Sequence, residues 1–337
     1  MKKTIVALAV AAVAATSANA ATVYNQDGTK VDVNGSVRLL LKKEKDKRGD
    51  LMDNGSRVSF KASHDLGEGL SALAYAELRF SKDVKNIGNN VHAKRLYAGF
   101  AYEGVGTLTF GNQLTIGDDV GVSDYTYFLG GINNLLSSGE KAINFKSAKF
   151  NGLTFGGAYV FSDDKNGLRD GRGFVVAGLY NRKIGDVGFA FEAGYSQKYV
   201  KQKVASVLPA LPGSVTVYKD KKEKAFMVGA ELSYAGLALG VDYAQSSKVT
   251  NVDGKKRALE VGLNYDINDK AKVYTDFIWA KEGPKGATTR DRSIILGAGY
   301  KLHKQVETFV EGRGRKKYAN GVTTKDNVVG VGLRVHF

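Results

Sequence analysis

The 337-residue chain has no cysteine, only three prolines and a single tryptophan, Trp279. Without cysteine there is no disulfide framework, no thiolate nucleophile and no sulfur-ligated metal site. The four histidines, His64, His92, His303 and His336, are scattered, with no base-plus-orienter setting around them. HExxH, GxSxG and GxxxxGK[ST] are all missing. Catalysis is therefore not expected, and neither a metal nor an organic cofactor is. Long apolar runs are also lacking: no segment approaches the ~18 consecutive apolar residues of a membrane-crossing helix. There is no capped segment of helical period, no domain linker and no repeat of roughly 20–50 residues.

Against these absences stand 41 glycines, 17 tyrosines, 16 phenylalanines and a formal charge of +15. Abundant glycine with scarce proline suits coiled strands, where proline would remove ladder hydrogen bonds. The first residues place Lys2 and Lys3 before an apolar run from Ile5 to Ala15, then Ala18-Asn19-Ala20 ahead of Ala21. That is the form of a secretory signal over residues 1–20; its apolar part is too short and too rich in alanine to cross ~30 Å of hydrocarbon. The mature part, 21–337, then carries +13, because two of the positive charges leave with Lys2 and Lys3. In an exported chain this excess points to an anion-attracting surface or lumen, and no nucleic-acid partner is expected.

Alternation of apolar and polar residues recurs along the whole mature part. In 256–267, Leu259, Val261, Leu263, Tyr265 and Ile267 oppose Ala258, Glu260, Gly262, Asn264 and Asp266. In 225–234, Phe226, Val228, Ala230, Leu232 and Tyr234 oppose Met227, Gly229, Glu231 and Ser233. Such segments start near 31, 56, 69, 91, 106, 141, 152, 173, 186, 223, 236, 254, 270, 291, 304 and 325, sixteen in all. Short turns alternate with longer connections near 43–55, 82–90, 114–140, 163–172, 200–222, 248–254, 282–290 and 316–324. An even number of strands with alternating short and long connections predicts an all-β fold, a 16-stranded antiparallel transmembrane β-barrel. A soluble sandwich would need bulky residues on its buried face, but the apolar faces here are thin and the opposite ones charged. Sixteen strands also leave room for an aqueous channel.

The last strand sets Val329, Val331, Leu333 and Val335 against Gly330, Gly332, Arg334 and His336 and ends on Phe337. Termination on Phe resembles the assembly signal of Gram-negative outer-membrane proteins. Further along the same line stand Tyr24-Asn25-Gln26-Asp27-Gly28, Ser56-Arg57-Val58-Ser59-Phe60-Lys61, Ala74-Tyr75-Ala76-Glu77-Leu78-Arg79-Phe80, Tyr97-Ala98-Gly99-Phe100 and Thr109-Phe110-Gly111-Asn112-Gln113. In this order and spacing the mature chain resembles the trimeric general-diffusion porins of Gram-negative bacteria, most of all their Haemophilus and Pasteurella branch. The resemblance implies an outer-membrane homotrimer and a third loop folded into the barrel, matching the connection at 114–140. It departs at Leu129-Gly130-Gly131, where many relatives have Pro-Glu-Phe-Gly-Gly.

A channel needs a radius and a field rather than reaction chemistry. Face assignment puts Ser36, Arg38 and Leu40 toward the lumen, then Arg57, Ser59 and Lys61, then Tyr75, Glu77 and Arg79. Arg38, Arg57, Lys61 and Arg79 thus share one inner wall; the resemblance implies that its basic cluster pairs with a glutamate at the position of Glu77. Either Lys94 or Arg95 joins it, because a one-residue slip flips every side chain. Lys146 follows, with Ile143 and Phe145 toward lipid. The opposing acidic side is expected from the inserted loop: Asp118, Asp119, Asp124 and, at its exit, Glu140. Runs such as Lys42–Arg48 and Lys219–Lys224 read as solvated loops or as contacts with anionic lipopolysaccharide. The expected function is passive diffusion of small hydrophilic solutes and ions, anions favoured; the alternative is a structural or adhesive barrel whose external loops bind host surfaces.

Overall fold

In the computed structural model, residues 20–80, 87, 88, 90–162, 170–204, 217–249, 253–284 and 288–337 are described. The expected signal segment, and most of the expected connections at 82–90, 163–172 and 200–222, lie outside them. Sixteen strands form the wall: β2 (Thr29–Glu44), β4 (Arg57–Gly67), β5 (Leu70–Phe80), β6 (Val91–Tyr102), β7 (Gly106–Leu114), β8 (Ser138–Ser147), β9 (Leu153–Val160), β10 (Gly173–Ile184), β11 (Val187–Val204), β12 (Val217–Tyr234), β13 (Leu237–Val249), β14 (Asp253–Asp266), β15 (Ala271–Gly283), β16 (Thr289–His303), β17 (Val306–Ala319) and β18 (Val322–His336). Each pairs antiparallel with its neighbour in sequence; β18 pairs with Ser36–Glu44 of β2 and closes the sheet. Closure removes the edges that would otherwise leave backbone groups unpaired in lipid. At the seam, the Gly35 and Phe337 backbones exchange two hydrogen bonds, of 2.8 and 3.0 Å.

Strand alternation sorts the side chains by medium. Val37, Leu41, Phe60, Phe100, Phe191, Leu232, Leu296 and Val331 stand exposed on the outside, while Ser36, Ser59, Glu77, Asp242, Glu260 and Glu311 are buried within. Beside the short turns, Tyr102, Phe150, Phe189, Tyr234, Tyr265 and Tyr300 are exposed, as expected of an aromatic girdle at one membrane interface.

Two short strands were not legible in the sequence. β1 (Ala21–Gln26) folds onto β2 through the Asp27-Gly28 turn, and β3 (Asp50–Asp53) lies back on Leu39–Lys42. Four connections are shorter than expected. That at 316–324 is a two-residue turn, Asn320-Gly321, with φ of 49° and 79°. At 200–222 the pairing continues to Val204 and Val217, so Lys219–Lys224 sits on β12 rather than in a loop. At 248–254 and 282–290 the strands leave only 250–252 and 284–288 between them. Beyond the ~9–11 residues that span the bilayer, both sheet faces meet water. The apolar period therefore fades while the hydrogen-bond ladder goes on.

Candidate functional site

Four adjacent strands build the basic wall, and strand pairing alone puts its members in line: Ser36 opposes Arg57, Arg57 opposes Arg79, and Glu77 opposes Arg95. Glu77, 2% exposed, is its centre. Its carboxylate accepts from Arg79 Nε at 2.7 Å, Tyr75 Oη at 3.1 Å and Arg95 Nη1 at 3.2 Å, with Arg57 Nη1 at 4.0 Å. Arg38 Nε donates to Ser36 Oγ at 2.9 Å, and Arg57 Nε to the Gly55 carbonyl at 3.1 Å. Lys61 is partly buried two residues below on the face of Ser59 and Arg57. Three guanidiniums thus surround one carboxylate, and Arg38 stands beside Arg57 on the same wall, so that the four arginines exceed Glu77 by three positive charges. Glu77→Ala should destabilise the barrel by about 3–5 kcal/mol, because it leaves half-buried like charges facing each other without their buried counter-charge. A urea midpoint unchanged from wild type would contradict this.

Strand β6 settles the choice between Lys94 and Arg95. Register shifts after the Glu77 and Arg95 pair, so that Leu78 opposes Ala93. Lys94 is the extra residue of this β-bulge, exposed and outside the Glu77 cluster. The expectation for Lys94 is thereby corrected in favour of Arg95.

The connection between β7 and β8 turns into the barrel. Thr115 caps a 3₁₀ turn at Ile116–Asp119, accepting from the Gly117 amide, and its hydroxyl donates to the Leu136 carbonyl at 2.5 Å, closing the base of the loop. Asn133 Nδ2 ties the Gly117 and Val120 carbonyls. Ile116, Val120, Ile132 and Leu135 then pack on Ala177, Leu179, Ala225, Met227, Ala244 and Ala258 of the wall. Small wall residues are needed there because loop backbone lies on them. A Cβ on Gly240 would sit 2.5 Å from the Val122 carbonyl oxygen and 2.7 Å from Ser123 Cα. Gly240→Val should cost about 1–3 kcal/mol by overpacking and lift the loop away from β13. A crystal structure of the variant with residues 120–124 unmoved would refute it.

The polar attachment is a series of buried carboxylates. Glu192 accepts from the Gly121 amide at 2.8 Å. Asp242 accepts from the Val122 and Ser123 amides at 2.8 and 2.7 Å and from Ser123 Oγ at 2.6 Å. Glu260 takes the Gly131 amide at 2.9 Å; Glu311 takes those of Tyr127 and Phe128 at 2.7 and 3.3 Å and the Tyr274 hydroxyl at 2.5 Å. An irregular loop cannot pair its amides with itself, so wall carboxylates satisfy them. Arg334 lies 4.6 Å from the Tyr127 ring centre and donates to the Tyr127 carbonyl at 2.9 Å; Lys272 covers the same ring at 4.6 Å.

The loop's acids divide. Asp119 ion-pairs with Lys146 at 2.8 Å, tying the loop base to β8. Desolvation by the surrounding protein, together with Asp119, raises the Asp118 carboxyl from its ordinary value against the pull of Arg95 and Arg79. Asp124 does not stand with them: it lies with Glu260 and Asp276 on the wall behind the loop. Glu140 is exposed on β8 and forms no ion pair among the described residues. Face assignment puts Glu231 and Glu260 on the polar face; Glu231 accepts from the Tyr125 hydroxyl at 2.6 Å and Glu260 from the Gly131 amide, so inward acids under successive loop donors are the signal missed, and Arg334 is legible on the polar face of the last strand.

A closed barrel, apolar outside and charged within, and narrowed by its own inserted loop, defines a channel-forming protein of the bacterial outer membrane. The chain belongs to the Gram-negative porins, whose family model matches residues 7–318. It is 94% identical, over the whole of both chains, to a major outer membrane protein of Pasteurella multocida strain Pm70, and 81% identical to another from Pasteurella multocida, also over both chains. OmpT of Vibrio cholerae, in a form lacking loop L8, superposes with a TM-score of 0.73 at 20% identity, covering 92% of this chain and 100% of its own. OmpF of Salmonella typhi, solved with daunomycin, gives 0.71 at 19% identity over 94% and 100%. The chain is a general outer-membrane porin channel.

Proposed function

We propose that this porin is a homotrimer of passive channels that favour small hydrophilic anions, with Arg38, Arg57, Lys61, Arg79 and Arg95 setting the preference. The observation that carries the reading is the charge balance at the level of the loop. The basic wall keeps three guanidinium charges beyond Glu77, whereas on the loop Lys146 already compensates Asp119, leaving Asp118 to face the wall. Behind the loop, Glu192, Asp242, Glu260 and Glu311 are buried and occupied by its amides, so a passing solute meets chiefly the basic side. Low-dielectric walls concentrate that field across the water-filled gap.

Trimerisation is supported by the trimer form recorded for Vibrio cholerae OmpT and by the apolar outer face. Export after removal of residues 1–20 fits the residue pattern of that segment. The basic run on the outward extension of β12 suits contact with anionic lipopolysaccharide. Planar bilayers test the reading. The purified protein should insert in conductance steps grouped in threes, and a KCl gradient should give a reversal potential of the sign set by chloride. A potassium-selective sign would overturn it.

A further inference from the structure

Of the inward carboxylates behind the loop, Asp276 alone holds no part of it. It is 0% exposed, and neither of its oxygens has a hydrogen-bond partner; the nearby Tyr125 amide falls outside hydrogen-bonding geometry. An ionised carboxylate in that position is costly unless something fills its lone pairs. The space in front of it is lined with further oxygen. Ligand oxygens of Asp124, Glu260 and Asp276 all lie within 4.8 Å of one another. The Ser123 carbonyl oxygen and Asp276 Oδ1 lie 1.8 and 2.5 Å from where a Gly262 Cβ would stand, so the missing side chain leaves both in one small space. No lysine or arginine forms an ion pair with the three carboxylates among the described residues.

We infer that Asp124, Glu260 and Asp276 hold a Ca²⁺ ion that fastens the inserted loop to β14 and β15. Two oxygens on opposite sides of a Ca²⁺ ion stand about 4.6–5.2 Å apart, so one ion reaches all three carboxylates. The donors are hard oxygens, three carboxylates with a backbone carbonyl beside them, which excludes a thiophilic metal. Their arrangement is irregular and one member, Asp124, is exposed. Ca²⁺ accepts such a shell and completes it with water, whereas Mg²⁺ demands a near-ideal octahedron. The exposure of Asp124 also gives the ion its entry from the lumen. The ion would join loop to wall at the point where the series of amide-holding carboxylates is interrupted. This goes beyond the solute preference and does not depend on it.

The test uses full-length protein, refolded in detergent and stripped with a chelator, then titrated calorimetrically with Ca²⁺ alone. The expected result is one saturable site per chain, weakened at least tenfold in Asp276→Asn and in Glu260→Gln and unchanged in Asp186→Asn, a carboxylate in the β10–β11 turn. Heat-resistant mobility on gels checks that each variant has formed its barrel. A second measurement needs no variant: chelation should raise single-channel current noise in the wild type, and restored Ca²⁺ should quiet it. Equal binding by folded Asp276→Asn would overturn the assignment. So would a wild type with no saturable site at millimolar Ca²⁺ and noise indifferent to chelation, which would mean that the cluster is neutralised by protons.

Discussion

Replacing Arg38 and Arg57 together by alanine should abolish most of the anion preference. The two residues supply two of the three guanidinium charges that Glu77 leaves uncompensated, and neither is the main partner of Glu77, which keeps Arg79 and Arg95 at 2.7 and 3.2 Å. The variant should therefore retain its barrel while losing its field. A unit charge ~4 Å from the ion path is worth about 1 kcal/mol in bulk water and more between low-dielectric walls. That is at least roughly a fivefold change in the anion-to-cation permeability ratio. The reversal potential in a KCl gradient reads it directly, at salt low enough that the Debye length, about 10 Å at 0.1 M, spans the constriction. An unshifted potential would mean that the selectivity lies elsewhere. Moderate acidification should act in the opposite sense. The Asp118 carboxyl is raised from its ordinary value, so it is neutralised ahead of an unperturbed aspartate and anion preference should rise as it protonates.

The wall that carries this prediction was legible because period-two alternation assigns every strand residue to one of two media. Arg38, Arg57, Lys61, Glu77 and Arg79 follow from that rule alone. It fails wherever the period is interrupted or has no consequence. The bulge at Lys94 inserts one residue and changes which cation faces the lumen, and nothing local in His92-Ala93-Lys94-Arg95 marks it. On the outward extensions of β11, β12, β17 and β18 both faces are wet, so strand and loop have similar composition. The loop itself was placed by its length and by family resemblance, but its course depends on contacts between distant segments: Ser123 meets Asp242 119 positions away, and Tyr127 meets Glu311 184 away. Asp124 therefore reads as one more loop carboxylate until the wall behind it is known.

Those distant contacts make the loop's attachment a separate quantity from the stability of the barrel. Asp242→Ala should loosen the loop with little effect on the sheet, since the Asp242 side chain accepts from the loop's Val122 and Ser123 and strand pairing uses backbone groups alone. The variant leaves two amides and a hydroxyl of the loop without acceptors. Each unsatisfied buried group costs about 1–3 kcal/mol, so local opening should become easier by roughly 3–9 kcal/mol. The apolar contacts of Ile116, Val120, Ile132 and Leu135 remain and oppose complete release. The channel should then alternate between a narrow state and a wider one, giving higher mean conductance, more current noise and faster proteolysis between residues 120 and 131. Glu192→Ala, which frees only the Gly121 amide, should show the same signs more weakly. If Asp242→Ala conducts as quietly as wild type and resists protease equally, the apolar seat alone holds the loop and the carboxylates serve only to satisfy its amides.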